Sequence, residues 1–223
     1  MQKFDTPAAI SAVLNIPAGR IQVIAADRAD TTVEVRPTNA SKGRDVMLAE
    51  QTEVEFGDGV LRITAPAEKN QMFGPSGSIE VTVQLPAGSG VEAKASAAEF
   101  RVVGRLGDVA FEGAHGEIKV DEVASVRLAA HAGDVTVGRL TGSAEISTQK
   151  GDIHIAEATS GTVVLRTLMG NVTVDAAPGV SASLDAGTGY GRINNALKNT
   201  EGAAAALTIK ATTDHGNITA RSL

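Results

Sequence analysis

Along the second half of the chain, apolar residues fall into short alternating triplets, each introduced by a glycine. The pattern is Gly, a polar residue, Val or Ile, any residue, then an apolar residue. It occurs as Gly107-Asp108-Val109-Ala110-Phe111, Gly116-Glu117-Ile118-Lys119-Val120, Gly133-Asp134-Val135-Thr136-Val137, Gly151-Asp152-Ile153-His154-Ile155 and Gly170-Asn171-Val172-Thr173-Val174. Weaker copies are Gly191-Arg192-Ile193 and Gly216-Asn217-Ile218-Thr219-Ala220, and from Gly116 onward the spacings are 17, 18, 19, 21 and 25. A second series lies between these: Val126-Arg127-Leu128, Ala144-Glu145-Ile146, Val163-Val164-Leu165, Ala182-Ser183-Leu184 and Leu207-Thr208-Ile209. Interleaved, the two series put first inward positions at 91, 100, 109, 118, 126, 135, 144, 153, 163, 172, 182, 193, 207 and 218. The long step from 193 to 207 reads as an insertion over residues 195–206.

A strand alternates inward and outward side chains, and a strand this short buries too little apolar surface to stand alone. Two strands joined by glycine turns make a flattened coil of about 18 residues, and coils stacked at roughly 4.8 Å merge their Val, Ile and Leu columns into one core. The pattern therefore predicts an all-β fold, a β-solenoid over residues 87–223. Val109, Ile118, Leu128, Val135, Ile146, Ile153, Val163, Leu165 and Val172 face inward. The glycines are expected to supply left-handed turn residues, and the Asp or Asn that follows to bond the local backbone.

Residues 1–86 alternate without the nine-residue register. Candidate strands are 10–16, 20–25, 32–36, 52–56, 60–65 and 78–85, separated by turn signals such as Pro17-Ala18-Gly19, Gly57-Asp58-Gly59 and Pro86-Ala87-Gly88. The hairpin at Asp58-Gly59 is the clearest local signal. Residues 69–77 read as a mobile loop, and 41–50 and 194–199 as single helical turns. This region is expected to be an antiparallel sheet or small sandwich that caps the first solenoid coil, because coil ends need covering.

Composition narrows the chemistry. The only aromatic residues are Phe4, Phe56, Phe73, Phe100, Phe111 and Tyr190, so thin layers of aliphatic side chains must form the core. There is no cysteine, which excludes disulfides and thiolate sites. The net charge is −6 with Lys and Arg scattered, so no nucleic-acid partner is expected. The N-terminal residues lack a signal-peptide pattern and no apolar run is long enough to span a bilayer, so the expected location is cytoplasmic, without membrane insertion.

Candidate sites come out empty. The polar column at Asp108, Glu117, Asp134, Asp152 and Asn171 lacks the second glycine and second acid of calcium-binding nonapeptides, so these residues read as turn formers. His115, His131 and His215 precede motif glycines as exposed turn residues, and His154 is an outward strand residue. No two share a metal-ligand spacing. Outward rows of Lys119, Thr136, His154 and Thr173, and of Arg127, Glu145, Val164, Ser183 and Thr208, show no carboxylate pair of the kind that polysaccharide-cleaving β-helices use. Arg127 and Glu145 fall on adjacent coils as a surface ion pair. Gly187-Thr188-Gly189-Tyr190-Gly191 reads as a broad turn with a packed Tyr, because the strand–loop–helix context of phosphate binding is missing. No catalytic residue, metal ligand or cofactor site is expected.

Several segments together resemble a family. They are Phe4-Asp5-Thr6-Pro7, Ala26-Asp27-Arg28-Ala29-Asp30, Val33-Glu34-Val35-Arg36-Pro37, residues 78–85 with Pro86-Ala87-Gly88-Ser89, the Gly-Asp-Val repeats, Tyr190-Gly191-Arg192-Ile193-Asn194-Asn195 and His215-Gly216-Asn217-Ile218. Over essentially the whole chain this resembles the bacterial DUF4097 β-strand repeat proteins, often labelled adhesins, and looks like their actinobacterial, soluble branch. The resemblance implies a β-solenoid without established catalytic residues. The expected function is a non-enzymatic scaffold or protein-interaction module, with carbohydrate binding or polysaccharide cleavage as the alternative. A protein partner or a second copy is expected at the C-terminal solenoid edge, Ile218-Thr219-Ala220, guarded only by Arg221. The competing expectation is that residues 195–206 fold over that end as a cap.

Overall fold

The computed structural model describes residues 1–66 and 77–223. The loop expected over 69–77 thus lies, apart from Gly77, outside the described residues. The chain is all-β apart from short helical pieces and divides into two compact units, Met1–Gly116 and Glu117–Leu223.

The first unit is organised by β2 (Ser11–Ala26), in which two expected strands are one. Pro17 and Gly19 lie at a bend inside it rather than at a chain reversal. Ala12, Leu14 and Ile16 are buried before the bend, and Ile21, Val23 and Ala25 after it. On one side β2 pairs in parallel with β7 (Gly90–His115), Ala12 opposite Val91 and Ile21 opposite Phe100. On the other it pairs in parallel with β5 (Val60–Thr64) and then β6 (Ile79–Pro86). Parallel coil pairing thus reaches back to Ser11. The antiparallel pairing expected of residues 1–86 surrounds it: β1 (Gln2–Asp5) on β3 (Asp30–Pro37), β3 on β6, and β4 (Glu53–Gly57) on β5. The β4–β5 hairpin turns at Asp58 and Gly59, both at positive φ (52° and 74°), as a two-residue primed turn requires. The outermost strands approach each other where Phe4 meets Phe56, ring centroids 5.4 Å apart. Residues 41–50 hold more than a turn: α1 spans Gly43–Gln51. The buried carboxylate of Asp45, in its first turn, accepts backbone N–H groups of Asn39 (3.2 Å) and Ser78 (3.0 Å).

The second unit is a parallel two-faced coil stack. Its strands are β8 (Ile118–Ala132), β9 (Val135–Leu140), β10 (Ala144–Lys150), β11 (Ile153–Ala158), β12 (Gly161–Met169), β13 (Val172–Ala176), β14 (Ala182–Tyr190), β15 (Ile193–Ala196), β16 (Leu207–His215) and β17 (Ile218–Ser222). On one face the spatial order is β8, β10, β12, β16, β14. On the other it is β8, β9, β11, β13, β17, β15. The coil made of β16 and β17 therefore sits between β12–β13 and β14–β15, although it follows both in sequence.

The inward register holds. Val109, Ile118, Leu128, Val135, Ile146, Ile153, Val163, Leu165 and Val172 are each at most 2% exposed. Three details of the pattern differ. Ile193 is 46% exposed, because β15 is the last strand of its face and no strand pairs beyond it among the described residues. Ser183 and Thr208 stand opposite Thr162, one outward row away from Arg127, Glu145 and Val164. That row continues instead into Lys210 and Asp185, because the triplets that open β14 and β16 stand opposite Gly161-Thr162-Val163, two residues ahead of the Val163 triplet. Residues 194–199 contain strand, not helix; the short helical turn lies at Gly202–Ala204.

Candidate interaction surface

The corner between the two faces explains both the glycine and the polar residue after it. Gly151 has φ +143° and Gly216 has φ +154°, and a Cβ at either would stand 2.1 Å or less from the carbonyl oxygen of the corner glycine one coil away. The positive φ fits the left-handed residue expected there, and the close coil-to-coil approach is a second requirement that only glycine meets. The adjoining side chains form a ladder. Asp134 Oδ1 accepts the N–H of Asp152 (2.8 Å), Asp152 Oδ1 that of Asn171 (2.7 Å), Asn171 Oδ1 that of Asn217 (2.9 Å) and Asn217 Oδ1 that of Arg192 (2.9 Å). The order 134, 152, 171, 217, 192 is the coil order. Arg192, with no acceptor in its side chain, stands where no further coil needs one.

A second ladder runs inside the corner. Thr167 donates to the carbonyl of Gly151 (3.1 Å), Thr213 to that of Gly170 (2.9 Å) and Thr188 to that of Gly216 (2.9 Å). Thr167 and Thr213 are 3% exposed, so their hydroxyls need these partners; Thr148, also buried, donates to the Lys150 carbonyl instead (3.3 Å). The spacing Thr-x-x-Gly at 148–151, 167–170, 188–191 and 213–216 is visible in the sequence and was the missed signal.

The outward faces are polar and partly paired. Arg127 and Glu145 lie 3.4 Å apart and Arg139 and Glu157 3.6 Å, all substantially exposed, so each pair contributes little, about 0–1 kcal/mol. Arg221 does not guard an edge. It makes a bidentate pair with the buried carboxylate of Asp175 (2.8 and 2.7 Å), which holds the guanidinium pKa above its usual value. His115, His131 and His215 are exposed and His154 is half-buried. Among the described residues no three His, Asp or Glu side chains come together to share an ion.

The edge of the stack is not where the sequence put it. β17 is hydrogen-bonded on both sides, to β13 and to β15, so Ile218-Thr219-Ala220 is interior. The outermost coil is β14–β15, each strand pairing on one side only among the described residues. Gly187-Thr188-Gly189-Tyr190 is thus edge strand rather than a broad turn. Tyr190 is 75% exposed rather than packed. One face of its ring stacks on His215, centroids 5.0 Å apart and planes within 3°; Met169, 51% exposed, continues the column in register. Residues 197–206 are tied to the coil corner: Ser181 Oγ accepts the N–H groups of Thr200 and Glu201 (both 3.1 Å), and Lys198 bonds Ala182 and Ser222.

A solved structure shares this architecture. A protein from Bacteroides fragilis described as a "putative adhesin" superposes with a TM-score of 0.61 at 16% identity, covering 100% of this chain and 95% of its own. A "putative cell adhesion protein" from Clostridium sporogenes (TM-score 0.42, 15% identity, 100% and 98% covered) and a "putative lipid binding protein" from Parabacteroides distasonis (0.45, 12%, 98% and 95%) are more distant. No curated protein matches the sequence. The profile of the family described as Toastrack DUF4097 matches residues 13–221, nearly the whole chain. The chain belongs to the Toastrack DUF4097 family.

Proposed function

We propose that this protein is a non-catalytic scaffold that binds protein partners through the open coil end formed by β14 and β15. One observation carries the reading: among the described residues both strands have a ladder partner on one side only, the other side of β14 being met just at Ala182 by Lys198, and Tyr190 and Ile193 are exposed beside that open side. A free strand edge offers N–H and C=O groups that an added strand satisfies, and the flanking side chains choose which strand fits. Neither strand contains proline or lysine, the usual guards of an edge. A library of extended peptides selected against the full chain tests this. Retained peptides should crosslink to β14 and β15, and Ile193→Lys should weaken them by about tenfold, or about 1.4 kcal/mol. Peptides that crosslink elsewhere, or bind the variant equally, would overturn the reading.

A second reading, carbohydrate binding, draws on the free face of Tyr190, since an exposed ring is a stacking platform for a sugar. A glycan array with Tyr190→Ala, paired with a reducing-sugar assay, separates the two. Glycan retention lost in the variant favours the sugar, and released reducing ends would make the chain an enzyme.

A further inference from the structure

The coil order has a consequence for assembly that is independent of the free end. Residues 161–169 of β12, 207–215 of β16 and 182–190 of β14 align residue for residue. On the other face Val172, Ile218 and Ile193 stand in one row. The β16–β17 coil thus fills a slot whose two walls, β12–β13 and β14–β15, are in register with each other. Because the walls share a register, β14–β15 can also stack directly on β12–β13.

The connection into the slot is unusual. The links between β9 and β10 and between β11 and β12 are two or three residues long, whereas residues 197–206 connect β15 to a coil that is its immediate neighbour. Ten residues span roughly 33 Å when extended, several coil spacings more than that step requires. Most of this link is exposed, and Ser181, Ala182 and Ser222 anchor it at the coil corner. An exchanged segment would remake both ladders, with Thr213 on Gly170, Thr188 on Gly216 and Asn217 on Arg192, so the closed single chain and the exchanged pair differ mainly in the link.

The geometry points to an acceptor slot between β12–β13 and β14–β15 that takes residues 207–223 of a second copy of this chain, giving a strand-exchanged dimer. The recognition chemistry is the parallel backbone ladder with the buried threonine column, and it is specific because no other segment carries Thr-x-x-Gly-Asn followed by an inward isoleucine at this register.

Thr173 and Thr219 face outward as register partners across the slot wall, and the chain has no cysteine of its own. The double variant Thr173→Cys/Thr219→Cys should crosslink within a monomer through a short bis-methanethiosulfonate reagent, each thiol displacing a sulfinate, whereas Thr173→Cys/Asn194→Cys should not. The single variants Thr173→Cys and Thr219→Cys, mixed at high concentration, warmed to partial unfolding and cooled, should give a crosslinked heterodimer. Either variant alone, or the mixture without warming, should give none above background. A double variant that fails to crosslink within the monomer removes the slot and overturns the proposal. So does a mixture that stays uncrosslinked, including one that dimerises through the β14–β15 edge, since edge contact leaves the two thiols apart.

Discussion

Ile153 and Thr136 show how much a single position decides. Ile153 is 1% exposed in a core only a few aliphatic layers thick, while Thr136 is the outward register partner of His154. Ile153→Asp places an unpaired charge in that core and should cost more than about 3 kcal/mol, whereas Thr136→Asp should stay within about 0.5 kcal/mol. Thermal melts rank the two, and the reverse order would mean that the inward and outward positions are exchanged by one residue. Asp30 gives a second residue-scale test. Hydrogen bonds from Arg28 Nε (2.8 Å) and Lys3 Nζ (3.0 Å) hold its pKa down at about 2, against an ordinary 3.8. The folded value lies below the unfolded one, so this contribution is present above pH 3.8 and is lost as the pH falls towards 2. Denaturant midpoints measured across that window should fall less steeply in Asp30→Asn than in the parent; equal slopes would show that the carboxylate is not held by these cations.

At the scale of elements, the strands were largely legible because their period is two and their interiors are aliphatic. The buried residues at 118, 135, 153 and 172, and the hairpin at Asp58-Gly59, follow from the alternation and turn residues alone. Two things were hidden. The Pro17-Ala18-Gly19 stretch looks like a chain reversal but is a bend within β2, because a solenoid corner and a hairpin turn draw on the same residues. Coil order was hidden because equally spaced strands carry no label of which neighbour they stack on. The label exists in the ladders: Arg192 breaks the Asp/Asn series, and an acceptor is dispensable only at the last coil. The ladders also give Asp134 and Asp152 a structural role at the corner, since their carboxylates accept backbone N–H groups of the next coil. The free end at β14–β15 was correspondingly misplaced to Ile218-Thr219-Ala220, where the ladder is in fact two-sided.

For the molecule as a whole, assembly through the coil stack depends on which coil is outermost, because an outermost coil has backbone groups to offer a partner. The scaffold reading uses the outer edge of β14–β15 and the exchange reading uses the slot behind it, so both stand on the same coil order. Amide hydrogen exchange on the parent chain, at a concentration where it is monomeric, reads that order directly. Thr219 and Ala220, with strands on both sides, should be among the slowest amides of the Glu117–Leu223 unit, and Asn194 and Asn195 among the fastest in strand. Fast exchange at 219–220 together with protection at 194–195 would make β16–β17 the outer coil and contradict the account.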